Sequence, residues 1–148
     1  MAILTGLFKP YLEIIKSMDC KCYYWPWEDE GWDDISDYVI KVCLSDYNEP
    51  VGFSVYREMP KEGVGRTVFI SKLAVREKYR GQGYGTLLLD DIIKFSKKED
   101  ADGIDLIESI LYEDNIPGAQ WAKRRGFKAV KILPGLFPDG RDGYLFNL

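Results

Sequence analysis

The sequence predicts an α/β fold on a mixed sheet, and three observations predict it. Between residues 38 and 75, three runs of β-branched and aromatic residues follow one another with turn residues between them. A glycine-rich turn leads from the third run directly into a helical pattern. A largely apolar run at 103–113 comes next, and a second helical pattern carries the chain to two final β runs. Strands joined by tight turns pair antiparallel, whereas strands joined through helices run parallel. The sheet should therefore be antiparallel at both ends, with helical crossovers in its middle. A chain of 148 residues, 46% of them hydrophobic, is the size of a single domain, 1–148, with one core.

Taken in order, Pro10–Met18 opens with a proline suited to a first helical turn and places Leu12, Ile15 and Met18 on one face, which predicts a helix. Residues 20–34 combine three tryptophans, two tyrosines and several carboxylates with little periodicity, and read as an irregular segment or short helix over the core. Tyr38–Leu44 and Val51–Met59 form a hairpin around the turn residues SDYNEP. After a loop at 60–66, Thr67–Val75 is the third strand. Gly83–Ala101 is a helix, because Leu87, Leu88, Ile92 and Phe95 recur at helical spacing, with Asp90 and Asp91 early and Lys94, Lys97 and Lys98 late. Gly103–Glu113 is the central strand. Asn115–Phe127 is a short helix with an Asn cap, Pro117 in its first turn and Gly126 as its stop. Lys128–Leu133 and Tyr144–Leu148 are the last strands, joined by PGLFPDGRDG. There is no internal repeat and no low-complexity segment.

Net charge is −4, and six carboxylates lie between Glu28 and Asp37 without a Lys or Arg among them. This acidity argues against a nucleic-acid partner. It leaves two readings of the segment, a solvated acidic loop or an attractor for a cationic partner. Three cysteines and no histidine support neither a disulfide framework nor a Cys/His zinc site, and no metal is expected. Lacking histidine, the chain also lacks the usual base of serine and cysteine hydrolases. Its N-terminus has no basic region followed by a cleavage site, and no run approaches the roughly 20 apolar residues of a membrane span. A soluble cytoplasmic protein is expected.

Gly81, Gly83 and Gly85 fall in five positions between a strand and a helix. Bare backbone at a helix N-terminus presents N–H groups, and the helix dipole favours an anion there, so a phosphate or pyrophosphate is the natural guest. The alternative is a turn that only redirects the chain. A P-loop would need Lys and then Ser or Thr after its last glycine, but Thr86 and Leu87 stand there. A dinucleotide fingerprint would need a different glycine spacing.

The arrangement Arg80-x-x-Gly83-x-Gly85, preceded by Leu73-Ala74-Val75, resembles the acetyl-CoA motif of the GCN5-related N-acetyltransferase (GNAT) family. A second signature agrees: Asn115 opens a helix that ends in Gly126-Phe127, at the family's spacing of eleven residues. The resemblance runs from about Val39 to Leu148, and the ending LFPDGRDGYLFNL is similar to the last hairpin of N-terminal protein acetyltransferases. It implies a GNAT-like single domain whose parallel central strands, 67–75 and 103–113, splay apart. Acetyl-CoA would be held by Leu73, Ala74 and Val75 along the pantetheine arm. The amides of Gly81, Gln82, Gly83, Tyr84, Gly85 and Thr86 would hold the pyrophosphate, Arg80 would add charge, and Asn115 would lie beside the pantetheine or sulfur.

The resemblance further implies transfer of acetyl to a primary amine, which requires a base. The family's frequent Glu position is Ile110 here, and Glu108, two residues earlier on the same strand face, is the leading candidate base. Tyr112 and Glu113 are weaker candidates. The family's leaving-group acid, a Tyr, is replaced by Ala122; the adjacent Trp121 is not a useful acid, and Tyr112 or Tyr144 are substitutes. Residues 23–37 and strand 38–44 would form the acceptor side. Its acids and Trp25, Trp27 and Trp32 either receive a cationic amine, from a polyamine-like small molecule or a protein, or respectively face water and cap the core. A non-catalytic GNAT-fold binding protein that retains CoA is the alternative function, and a homodimer is left open.

Overall fold

The computed structural model describes residues 3–6, 8–22, 26–61, 65–97 and 104–148. The strands are β1 (Ile3–Thr5), β2 (Val39–Leu44), β3 (Pro50–Lys61), β4 (Gly65–Val75), β5 (Ile104–Tyr112), β6 (Lys128–Leu133) and β7 (Gly143–Asn147). The helices are α1 (Leu12–Cys22), α2 (Asp29–Asp33), α3 (Tyr84–Lys97) and α4 (Ile116–Arg124), with 3-10 turns at Lys9–Tyr11 and Glu77–Tyr79. The strands form one sheet in the order β1-β2-β3-β4-β5-β7-β6. As the connections predict, β2 and β3 pair antiparallel, β4 and β5 parallel, and β5, β7 and β6 antiparallel. The parallel register runs from Arg66↔Ile104 to Ile70↔Ser109.

Two differences from the sequence reading have tertiary causes. Strand β1 has only three residues, too few for a periodic signal, and its extended form is set by pairing from Ile3↔Leu44 to Thr5↔Val42. Helix α1 continues a turn beyond Met18 to Cys22, because Asp19, which the pattern places with the polar residues, is fully buried beside an ion-pair partner. The last residues of the expected helix 83–101, from Lys98 onward, lie outside the described residues, as do Tyr23, Tyr24 and Trp25.

The chain forms two compact units, Met1–Arg57 with Ser71–Lys98, and Glu58–Ile70 with Glu99–Leu148. The first has a layer on each side of its strands. On one side Ile15 and Met18 of α1 and Trp32 of α2 pack with Ile40, Val42, Phe53, Val55 and Ala74. On the other, Leu88 of α3 packs with Cys43 and Val51, flanked by Leu73, Val75 and Tyr84. Residues 73, 74 and 75 thus alternate between the layers, which fixes the end of β4 from both sides. In the second unit Ile107, Ala122, Phe127 and Phe146 are buried. Burying side chains of this size is worth roughly 1.5–3 kcal/mol each.

Candidate functional site

The glycine-rich turn lies where strand β4 passes through the Glu77–Tyr79 turn into α3, and residues 80–83 are exposed. Gly81 has φ +77° and Gly83 φ +94°, conformations that L side chains rarely adopt. A Cβ at either position would meet nothing within 4 Å. The glycines therefore serve backbone torsion and leave open space before them, rather than making room for a neighbouring side chain. Helix α3 starts at Tyr84, and its Leu87 N–H donates to Gly83 O at 3.0 Å. Tyr84, Gly85 and Thr86 form its first turn, where N–H groups have no partner further back in the helix. An exposed turn with glycine torsions and a helix N-terminus fits an anionic diphosphate.

Several side chains brace this turn. The Tyr79 hydroxyl donates to the Glu49 carboxylate, a bond that holds the phenol above its usual pKa range. Arg76 donates to Pro50 O at 3.1 Å, and its N–H to Val51 O at 2.8 Å. The rings of Tyr79 and Tyr84 meet edge-on with centroids 6.2 Å apart. Gln82 donates to Lys78 O at 3.5 Å. Arg80, expected to supply charge, reaches back along the strand: its Nε donates to Val75 O at 2.9 Å, and its Nη2 lies 3.9 Å from Cys22 Sγ. Gly52, which the sequence reading passed over, permits the approach of β3 to this strand, since a Cβ there would stand 2.7 Å from Ala74 O.

In the second unit Glu108 lies on β5 with 8% exposure, in register with Phe69 on β4 and Asn147 on β7. Partners in register point to the same face, so Glu108, Ile110 and Tyr112 share a face with Gly143, Leu145 and Asn147. Tyr112 packs on Phe137 with ring centroids 4.0 Å apart. A Cβ on Gly143 would come within 2.7 Å of Leu136 Cδ2 and 3.0 Å of Ile110 Cγ2, so these two side chains close over the strand at a residue without one of its own. Tyr144, one of the substitute acids, stands opposite Leu111, on the other face from Glu108 and Tyr112, and lines a shallow depression with Ala129, Val130, Lys131 and Ile132. Glu113 is engaged by the loop before β7. It is exposed, and its carboxylate accepts the Asp142 N–H at 3.1 Å while its own N–H donates to Asp142 O at 3.0 Å. Arg141 completes this lock through Asp114 at 2.8 Å and Asp139 at 2.7 Å.

Asn115 caps α4, its Oδ1 accepting the Gly118 N–H at 3.1 Å. Gly118 is a partner that sequence reasoning missed, although the spacing N-x-x-G contains the signal: a Cβ there would sit 2.5 Å from Asn115 Nδ2 and 2.8 Å from its Cγ. Ala122, in place of the family's Tyr, is 7% exposed, and its carbonyl accepts from Arg125 and Phe127 at the helix end.

The two readings of residues 26–37 also separate. Trp32 is 3% exposed and packs with Trp27 and Phe53. The Trp27 ring receives the Lys72 ammonium at 5.0 Å, and the Tyr38 ring receives the Arg57 guanidinium at 4.9 Å. These aromatic faces are thus occupied by the chain's own cations. The carboxylates of Glu28, Asp29, Glu30, Asp33, Asp34 and Asp37 are exposed, with Asp29 reached by Lys16 at 3.4 Å. Among the described residues, no three Cys, Asp or Glu residues cluster as a metal site, and no helix is long and apolar enough to cross a membrane.

Comparison with known proteins bears on the family and the fold. The sequence pattern described as "Acetyltransferase (GNAT) family" matches residues 12–130. The chain is 33% identical over 94 residues to an N-alpha-acetyltransferase of Saccharolobus solfataricus, and 35% identical over 100 residues to one of Sulfurisphaera tokodaii. Each match covers 64% of this chain and 54% of the relative, so the chain spans about half the length of these curated relatives. Among solved structures, Arabidopsis thaliana NAA60 with a bisubstrate analogue superposes at a TM-score of 0.88 and 19% identity, covering 100% of this chain and 97% of that one. The ribosomal-protein-S18-alanine N-acetyltransferase of Escherichia coli superposes at 0.82 and 18% identity, covering 100% and 93%. The likeness to these structures is one of fold. With the family pattern matched over well more than half its length, the chain belongs to the GNAT acetyltransferase family.

Proposed function

We propose that this protein transfers an acetyl group from acetyl-CoA to a primary amine, and that the amine is the N-terminal α-amine of a protein. The observation that carries the reading is the exposed turn from β4 into α3, with Gly81 at φ +77° and Gly83 at φ +94° ahead of a 14-residue helix. In this reading the amides of residues 81–86 and Arg80 hold the pyrophosphate, and Leu73, Ala74 and Val75 hold the pantetheine arm. Bound acetyl-CoA supplies an activated acyl thioester. Asn115 braces α4 beside the pantetheine, Glu108 takes the proton released by the amine, and Tyr112 assists.

The preference for an α-amine is chemical. An amine must be neutral to act as a nucleophile, and an α-amine has a pKa near 7.7–8.0 against roughly 10.4 for a Lys-type amine. At pH 7 the neutral fraction of the former is greater by roughly 10²-fold or more. A site without the family's Tyr, and with Ile110 where Glu is frequent, suits the acceptor that needs least deprotonation. The archaeal relatives named N-alpha-acetyltransferases support the same choice. The exposed acids of residues 28–37 would then draw in the positive N-terminus.

Release of free thiol from acetyl-CoA, measured over a panel of N-terminal peptides and polyamines, tests the reading. Turnover with α-amine peptides is expected, and turnover with polyamines alone would reassign the acceptor. The absence of the family's Tyr at Ala122 favours a second reading, a binding protein that keeps CoA without catalysis. It requires CoA affinity with no acceptor turned over above background.

A further inference from the structure

Within the first unit, one carboxylate ties together three segments. Asp19 is 0% exposed on α1. Its Oδ1 receives Lys72 Nζ at 2.7 Å and its Oδ2 receives the Trp27 N–H at 2.8 Å, while the same ammonium lies 5.0 Å from the Trp27 ring centroid. The ion-paired side chains are 3% and 1% exposed. Burial pulls the Lys72 pKa below its ordinary range, and the Asp19 carboxylate offsets this only in part. Taking two charges out of water largely cancels their attraction, so a buried pair is weak evidence for stability and well-packed apolar residues often do as well.

Its placement suggests a different use. Lys72 directly precedes Leu73, Ala74 and Val75, the residues assigned to the pantetheine arm. Trp27 lies in the segment assigned to the acceptor, and its ring also packs on Trp32 and Tyr38. One turn further along α1, Cys22 Sγ lies 4.0 Å from Val75 O. Helix α1 is therefore fastened to the cofactor strand at residues 72 and 75, and to the acceptor segment through Asp19.

We propose that Asp19 and Lys72 are a positioning pair that couples the acceptor segment to the cofactor strand, so that occupation of one tightens binding at the other. This rests on the proposed acetyltransferase reading of those two segments. The readout is the affinity of an N-terminal peptide, shown beforehand to be acetylated by the wild type, measured by calorimetry without and with saturating CoA. Allosteric couplings of this kind run from roughly 5- to 150-fold, and the wild type should fall within that range.

Single substitutions would strand a buried charge and destabilise the fold, so two charge-free doubles are used. Asp19→Leu with Lys72→Met should fold, bind CoA as the wild type does, and lower the coupling ratio to about 1. Asp19→Asn with Lys72→Gln keeps the hydrogen-bonding shape and should retain most of the coupling, which a loss of packing alone would not explain. Should the apolar pair fail to fold, the polar pair decides against the wild type on this retention. The proposal is overturned if the apolar double keeps the wild-type ratio, if the polar double loses it, or if the wild type itself shows no coupling. A wild type that acetylates no peptide fails at the earlier step and overturns the acetyltransferase reading, and with it the role given to the pair.

Discussion

Replacing Gly85 by Ala should make the protein more stable and leave its hold on CoA nearly unchanged, whereas replacing Gly83 by Ala should weaken both, and this difference separates a glycine inside the helix from one that sets the turn. Gly85 is the second residue of α3, so it already has helical torsions, unlike Gly81 and Gly83. Glycine within a helix costs about 0.8–1 kcal/mol relative to Ala, and somewhat less near an end. With an unfolding entropy of about 2.1 cal/mol/K per residue, a chain of 148 residues gains roughly 3 °C in Tm per kcal/mol. Gly85→Ala should therefore raise the ligand-free Tm by about 2–3 °C. In the proposed reading its small methyl is tolerated beside the diphosphate, because the acetyl-CoA motif that this turn resembles takes Gly or Ala at that position, and CoA affinity should stay within about twofold of the wild type, or about 0.4 kcal/mol. Gly83→Ala is the control. At φ +94° with nothing within 4 Å of the new Cβ, its cost is torsional, about 1–2 kcal/mol, so Tm and affinity fall together. Thermal melts with and without CoA, and calorimetric titration, read both quantities. If Gly83→Ala binds CoA as tightly as the wild type, the torsions of this turn serve no phosphate and the reasoning fails.

Glu108→Gln, which is isosteric, should lower kcat/KM by at least about 10² without changing CoA affinity. An unaltered kcat/KM would remove Glu108 from the reaction. Gly118→Ala should expel Asn115 from the cap of α4, costing about 1 kcal/mol, and should add nothing to Asn115→Ala; additive losses would show that the 2.5 Å approach is relieved some other way. Burial lifts the Cys43 thiol from its ordinary 9.0 to about 11, so the native state keeps a proton that the unfolded chain loses. Its contribution is full below pH 9 and declines above it, by about 2 kcal/mol at pH 11. Denaturant titrations of Cys43→Ala and wild type across that window should converge as pH rises, and a constant gap would refute the assignment.

The glycine-rich turn was legible because torsion and helix capping are local properties. Three glycines between a β run and a helical run specify an open turn whatever surrounds them, and Asn115 with Gly126 marks both ends of α4 in the same way. Strand β1 was not legible, since three residues carry no period and their extended form comes from β2. Nor was the fate of the candidate acids and bases. Tyr112 and Tyr144 look equivalent in a list of tyrosines, and only the pairing of β5 with β7 puts them on opposite faces.

The sequence by itself thus determined the order of the elements after β1 and the glycine-rich turn before α3, each of which depends on neighbours within a few positions along the chain, and the helical crossover between β4 and β5 implied their parallel pairing. Tertiary structure decided which polar groups are already engaged. Asp19 and Lys72 are 53 residues apart in the chain yet 2.7 Å apart in space. Glu113 is spent on a loop 29 residues away. The aromatic faces of residues 27 and 38 are filled by cations from β4 and β3. Such contacts link positions that no short window of sequence spans, because a charge or a ring acquires its role from whatever the fold brings against it.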